Sequence, residues 1–512
     1  MQFLYTHLLS ELIFLPIIGA VIILFTSRLQ RADGGEMVAP ARIIAVLVTL
    51  LSLLICVPLY IGFNNNSYAM QFVENYHWIP SLHINYGLGI DGISLAMILL
   101  TNFTGFIVVL AACQAIKRKV AQYMMAFLVL QGVSVGVFAA TDALLFYVFW
   151  EAMLIPMYLC IGIWGDSNRN YASIKFFLYT FLGSALMLAA LLYLGMTSGS
   201  FAITSFYKLH MTMMVQVLIF LAFFLAFAVK VPMWPLHTWL PDVHTAAPAG
   251  GSVVLAALML KMGIYGFLRF SMPITPDASQ MLDWLMIILG LIAIVYIGFI
   301  AIIQKDMKRL IAYSSIAHMG FAVLACFMVY EIIAVSNNIH DAYLSLEGGV
   351  VQMISHAFNT GAMFLGVGIL YDRLNTRMIK DYRGIAHRMP IFAAFFMLFC
   401  LSNVGLPGTS GFVGEFMVIL SAFQAHFWVA FFAASTLILG AAYTLWMYKR
   451  VFFGAVNNEK IAEQNDINAL QIFVYALLAI GVIGLGIYPD ILLNMLHSAV
   501  DHILTISIQH RL

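Results

Sequence analysis

Apolar runs of about 20 residues, the length that crosses bilayer hydrocarbon, recur along the whole chain and are separated by short polar segments. They predict helices at 3–26, 42–63, 88–114, 121–140, 142–164, 173–196, 213–239, 251–269, 279–303, 309–330, 345–371, 389–423, 428–449 and 469–489. The fold class is therefore an all-α polytopic membrane protein with 14 transmembrane helices. Two runs are over-long, 213–239 and 389–423, and each holds a Pro/Gly break. Pro232 and Pro235 lack an N–H, so the carbonyls of Ala228 and Val231 lose their helical partners, and Pro407 does the same to Asn403. In hydrocarbon such carbonyls must be satisfied by protein or water. Each over-long run is thus predicted as two half-helices. The longest connections, near 64–87, 372–388 and 454–468, are too short for a soluble domain, so residues 1–512 form a single transmembrane domain.

The distribution of charge orients these helices. Loops after odd-numbered helices hold 19 of the 24 basic residues, and loops after even-numbered helices, with the tail, hold only Lys208, Arg269 and Arg511. By the positive-inside rule both termini face away from the cytoplasm. The two broken runs are the seventh and twelfth. Helices 4–8 (121–270) and 9–13 (279–450) then form two five-helix repeats, and an odd number of spans inverts the second relative to the first. Helices 1–3 (1–120) and helix 14 (469–489) lie outside the repeat.

Hydrophobic residues make up 63% of the chain and charged residues 9%, against about 25% charged in a soluble domain. A net charge of +1 gives no reason to expect nucleic acid. The five cysteines lie singly in apolar runs, which argues against a disulfide framework and against zinc or iron–sulfur ligation. Gly87, Gly89 and Gly92 spell GxGxxG, but no strand is expected before them, so no dinucleotide site is predicted. The N-terminus has no basic segment, and its first run is expected to be a retained helix.

Against this background a few ionisable residues stand out. Lys230 and Lys261 lie in apolar runs on either side of the first break. A charge at the centre of a spanning helix costs roughly 2.5–3.5 kcal/mol on insertion scales. Glu151 sits mid-helix in LLFYVFWEAMLIPMY, one turn before Pro156. A lone carboxylate at that depth is costly to keep charged unless a cation stands near, and Lys230 is the economical partner. Arg269 is expected to mark one helix end, which leaves Lys261 deeper. His318 and His356 occupy adjacent helices and fit a proton wire. Glu415 follows the second break in GLPGTSGFVGEF, where Gly405, Gly408, Gly411 and Gly414 let the backbone unwind. His237 and His244 are expected to cap a helix or line a channel. Asp91 and Glu347 sit at helix ends, where capping is expected. The bland alternatives are static ion pairs, snorkelling lysines and close glycine packing. Glu151, Lys230, Lys261, His318, His356 and Glu415 together are read as an ion or proton path.

FAVKVPMWPLHTWLPDVHTAAPAGGSVVLAALMLKMGIYG, FWEAMLIPMY, KDMKRLIAYSSIAHMG, QMISHAFNTGAMFLGVG and GLPGTSGFVGEF resemble the signatures of the antiporter-like membrane subunits of respiratory complex I and of multisubunit Na⁺/H⁺ antiporters. The resemblance covers nearly the whole chain. It implies a proton-translocating membrane-arm subunit of an NADH:quinone oxidoreductase. Glu151 and Lys230 would be the coupled pair of the first half-channel, Lys261 the central relay, His318 and His356 its continuation, and Glu415 the exchange group of the second. It also implies no redox cofactor in this chain, with NAD, FMN, Fe–S clusters and quinone in partner subunits. The partners would be the antiporter-like subunits L and N and smaller membrane-arm subunits, in a bacterial inner membrane. A subunit of a Na⁺/H⁺ antiporter or membrane-bound hydrogenase, a stand-alone solute carrier and a structural scaffold remain as alternatives. If the charge of Glu151 is essential, Glu151→Gln abolishes pumping-linked turnover in membrane vesicles. Full pumping by that variant would remove Glu151 from the path.

Overall fold

The computed structural model describes residues 7–31, 38–456 and 459–509. The start of the expected run 3–26 and Arg511 lie outside the described residues. Thirteen helices among the described residues are long and apolar enough to cross a membrane, and two shorter apolar helices cover 390–403 and 410–425. In chain order the elements are α1 (Leu8–Arg31), α2 (Val38–Ile61), β1 (Gln71–Ile79), β2 (Ile84–Ile90), α3 (Gly92–Ala115), α4 (Val120–Ala139), α5 (Ala143–Ala152), α6 (Leu154–Trp164) and α7 (Arg169–Ser198). There follow α8 (Met213–Lys230), α9 (Trp239–Ala246), α10 (Ala249–Ile274), α11 (Asp283–Ile302), α12 (Met307–Ser336) and α13 (Tyr343–Leu374). The chain continues with α14 (Pro390–Asn403), α15 (Ser410–Ala425), α16 (Phe427–Phe452), α17 (Ala469–Ile487) and α18 (Asp490–Ser507). Both over-long runs are broken as their prolines require, the first after Lys230 and the second after Asn403.

Three features differ from the hydropathy reading. An antiparallel β1–β2 hairpin precedes α3. Gly87 and Gly89 therefore lie inside a strand and Gly92 opens a helix. The hairpin is antiparallel, so it still lacks the βαβ geometry of a dinucleotide site. It serves α1 instead: the Glu74 carboxylate accepts the N–H groups of Leu9 (2.9 Å) and Ser10 (3.2 Å), where the first helical donors lack partners. The second feature is α18, whose buried residues Leu492, Met495, Leu496, Ala499, Val500, Ile503 and Leu504 follow helical spacing. One apolar face on a mixed sequence escapes a search for all-apolar runs.

The third concerns Arg269. Helix α10 runs on to Ile274, so Arg269 lies inside it, buried. Cation and helix end part company because Arg269 has local partners. Its guanidinium pairs with Asp91, donates to Ser94 Oγ at 3.1 Å, and donates to Tyr265 Oη at 3.2 Å. Asp91 meanwhile caps α3 by accepting the Ser94 N–H at 2.9 Å.

The contacts group the chain into two compact units. One comprises Met1–Phe227, Tyr265–Ser279 and Met495–Leu512; the other comprises Ala228–Ile264 and Gln280–Asn494. In the first, α1, α3 and α4 pack together, with Gln131 donating to Asn102 at 2.8 Å across α3 and α4. In the second, α11 packs on α12, and α13 packs on both α12 and α15. Removing one partner of a buried ion pair typically costs about 3–5 kcal/mol. Arg269→Ala is therefore expected to lower the melting temperature and yield of the purified protein sharply. A D91N/R269M double variant should recover part of the loss, because asparagine still caps α3 and no charge is stranded. Equal melting of the single variant and the parent would show the pair to be incidental.

Candidate functional site

The second unit holds a row of buried polar side chains. Lys261 lies in α10, whose course is widened by π-type turns at Leu255–Met259 and Phe267–Ser271. Such widenings concentrate at functional sites because they free backbone carbonyls. The Lys261 ammonium donates to the Ala256 carbonyl and lies 2.6 Å from His356 Nδ1. Lys261 has no exposed surface, and His356 is 2% exposed.

The row continues on α13. The His356 and His318 rings lie 5.8 Å apart between centroids, tilted by 54°. His318, on α12, places Nδ1 at 2.8 Å from Glu415 Oε1 on α15. Gln352 bridges the two, with its amide nitrogen 3.2 Å from His318 Nδ1 and donating to Glu415 Oε1 at 3.1 Å. A parallel set of neutral groups runs alongside: Ser355 Oγ meets Ser410 Oγ at 2.8 Å, and Asn359 donates to Ser355 Oγ at 3.3 Å. Gln352, Ser355, His356 and Asn359 are spaced i, i+3, i+4 and i+7, so they share one face of α13.

The second break shapes the Glu415 end. Gly405 takes φ +82°, and a Cβ there would lie 3.1 Å from Glu415 Oε2. Glycine thus supplies both the left-handed turn and the room for the carboxylate. Gly411 and Gly414 do not unwind the backbone, contrary to expectation. Both sit inside α15, where Gly414 lets the helix approach the Gln352 backbone. Asn403 ties the break down by donating to Ser314 and Thr444, each at 3.1 Å.

At the first break, buried Lys230 ends α8. The Ala228 carbonyl, expected to be left without a helical partner, accepts the Met233 N–H at 2.8 Å, and the Val229 carbonyl accepts the Trp239 indole at 2.8 Å. The far end of α9 is closed by cations. Lys308 donates to the Ala247 carbonyl at 2.7 Å and Arg377 to the Thr245 carbonyl at 2.8 Å. His244 is fully buried and stacked on Phe364 at 4.5 Å. His237, nearly buried, lies against the Tyr313 ring.

Four of the six expected residues, Lys261, His356, His318 and Glu415, are thus brought into one row, in that order. Glu151 is the penultimate residue of α5, half-buried, in the first unit, whereas Lys230 belongs to the second. Sequence reading missed Gln352, whose signal is its place four residues before His356. It also took Lys308 for a loop cation, because burial of a lysine beside a loop leaves no trace in hydropathy. Among the described residues, no group of three or more His, Cys, Asp or Glu is placed to hold a metal ion.

Residues 140–440 match the family model described as NADH:quinone oxidoreductase/Mrp antiporter, transmembrane. The chain is 44% identical to NADH-quinone oxidoreductase subunit M of Rhodobacter capsulatus, over 97% of this chain and 96% of the relative. It is 41% identical to NADH-ubiquinone oxidoreductase chain 4 of Marchantia polymorpha, with the same coverage. Among solved structures it is similar to a chain of respiratory complex I from Thermus thermophilus, with TM-score 0.86, 29% identity, and coverage of 98% of this chain and 100% of that one. The chain therefore belongs to the NADH:quinone oxidoreductase/Mrp antiporter family of membrane proteins, alongside its subunit M members.

Proposed function

We propose that this chain carries protons through the row Lys261–His356–His318–Glu415, with Gln352 as a bridging group. It does so as a proton-translocating membrane-arm subunit of NADH:quinone oxidoreductase, whose redox chemistry resides in partner subunits. The observation that carries the reading is the pair of short contacts at the ends of the row, 2.6 Å from Lys261 to His356 and 2.8 Å from His318 to Glu415. An imidazole both accepts and donates, so each ring can receive a proton on one side and release it on the other. His356 Nε2 and His318 Nε2 are buried and make no hydrogen bond among the described residues. A water between the rings would have polar partners to hold it.

Hydride, quinone and iron–sulfur chemistry make no demand on these residues. What the row needs is a change in electrostatic potential arriving from outside it. Glu151 and Lys230 are assigned the receiving end of that signal, as the family signatures in FWEAMLIPMY and FAVKVPMWP imply. The two half-helix breaks, read as one span each, give 14 spans, two inverted five-helix repeats (121–270 and 279–450) and termini on the non-cytoplasmic side of a bacterial inner membrane. The neighbours on this reading are the antiporter-like subunits L and N.

Removing a positioned proton donor or acceptor typically costs about 10²–10⁴ in rate. Lys261→Met and His356→Ala are thus expected to lower NADH-driven acidification of inverted vesicles by at least about tenfold while the complex still assembles. Glu415→Gln should leave assembly intact and lower the protons moved per NADH oxidised. Gln352→Met keeps the side-chain length and removes the bridge, so it should slow translocation with no effect on NADH oxidation by an artificial acceptor. Unchanged coupling in Lys261→Met and Glu415→Gln together would refute the relay.

A further inference from the structure

The second unit carries another built site, which the relay does not use. A cavity of about 830 Å³ lies where three segments meet: the turn after α11, residues 378–383, and the last turn of α16. Lys305, Lys380, Arg383, Lys449 and Arg450 line it. The carboxylates nearby are engaged elsewhere, Asp306 with Arg377 at 3.2 Å and Asp381 with the Thr376 hydroxyl at 2.6 Å. No carboxylate among the described residues forms an ion pair with any of the five cations.

Two of the cations are held in place. Arg383 lies against Gly454, whose φ of +94° and missing Cβ make room for the guanidinium; a Cβ there would sit 2.6 Å from its Nε. Arg450 lies over the Trp446 ring, 4.3 Å from its centroid. One of its terminal nitrogens is shielded from solvent and has no hydrogen-bond partner among the described residues. Five cations lining one cavity, with no carboxylate paired to them among the described residues, call for an anion. The positive-inside rule accounts for the sign of these charges. It does not account for their convergence on one cavity or for the acids being turned away.

The remaining walls say which anion. Trp446 is 48% exposed and Phe453 51% exposed, and both sit at the end of a membrane-crossing helix. That is the headgroup level, where an indole meets both water and acyl chain. A free phosphate has no use for this apolar rim, and a lipid has. We propose that this cavity binds the phosphodiester headgroup of an anionic phospholipid, with Lys449 and Arg450 facing the phosphate and Trp446 and Phe453 against the glycerol and upper acyl chains.

The test uses the assembled complex in nanodiscs. One sample contains a photoactivatable phosphatidylglycerol; a parallel sample contains photoactivatable phosphatidylcholine. Cross-linked peptides are mapped by mass spectrometry. The anionic probe is expected to label 446–454 and 378–383 and the zwitterionic probe to leave them unlabelled. Millimolar inorganic phosphate should not remove the label. K449Q/R450Q should lower labelling about tenfold, since each basic residue at a lipid surface contributes about as much as a several-fold change in binding, and K449R/R450K should restore it. If the neutral double variant fails to assemble, K305Q/K380Q gives the same readout. Equal labelling by both probes, displacement by inorganic phosphate, or no label because a neighbouring protein covers the cavity would each overturn the proposal.

Discussion

Everything in the second unit follows from the cost of holding an ammonium away from water. Lys261 has no accessible surface. Its charge is bearable only with acceptors at hand, and two are supplied. One is the Ala256 carbonyl at a π-type widening of α10; the other is His356 Nδ1 on α13. On the proposed reading, the groups that solvate the lysine are also those through which it would exchange a proton. His356 in turn lies beside His318, and His318 beside Glu415. Within the Lys261–His356 and His318–Glu415 pairs each member substitutes for water that the other has lost. On that reading a relay and a partial solvation shell would be one arrangement.

The two backbone breaks meet a shared difficulty by different means. After α8 the freed carbonyls are taken by donors from the chain just ahead, the Met233 N–H and the Trp239 indole. The carbonyls at the far end of α9 receive Lys308 and Arg377, cations at a helix C-terminus, where the dipole favours them. After α14 neutral groups do the work. Asn403, Ser314, Thr444 and Tyr443 form one hydrogen-bonded cluster, and Gly405 turns the chain. The first break is thus bordered by positive charge and the second by a single carboxylate, Glu415. A proton moving from the lysine end to the glutamate end moves toward negative charge.

The legible part of this was whatever has a large signature in hydropathy. Spans, both breaks and the charged residues inside apolar runs stand out because hydrocarbon tolerates few exceptions. Residues whose meaning depends on a neighbour far along the chain were hidden. Gln352 is an ordinary polar residue until α15 brings Glu415 to it. Arg269 looked like a helix end until Asp91, nearly 180 residues earlier, was seen to pair with it. Lys308 reads as one more positive loop residue, and only the position of Ala247 reveals that it is buried. The hairpin and α18 were missed for a related reason. Their apolar residues alternate with polar ones, and a window built for spanning runs averages that alternation away.

The Glu415 end has a property that the pairwise distances conceal. His318 Nδ1 faces two groups with opposite requirements. The Gln352 amide nitrogen can only donate, so that contact needs a bare ring nitrogen. An ionised Glu415 can only accept, so the 2.8 Å contact needs a protonated one. Gln352 also donates to Glu415 Oε1, so it can serve the ring and the carboxylate by turns. When His318 carries a proton at Nδ1, it binds Glu415 and the amide is left to the carboxylate. When that proton passes to Glu415, the ring turns acceptor and the amide can serve it. The three side chains therefore have two self-consistent hydrogen-bond patterns that differ by the position of one proton. The His318 Nδ1, the Gln352 amide nitrogen and the Glu415 carboxylate thus have partners both before and after the transfer, which would let a proton move without breaking this part of the network.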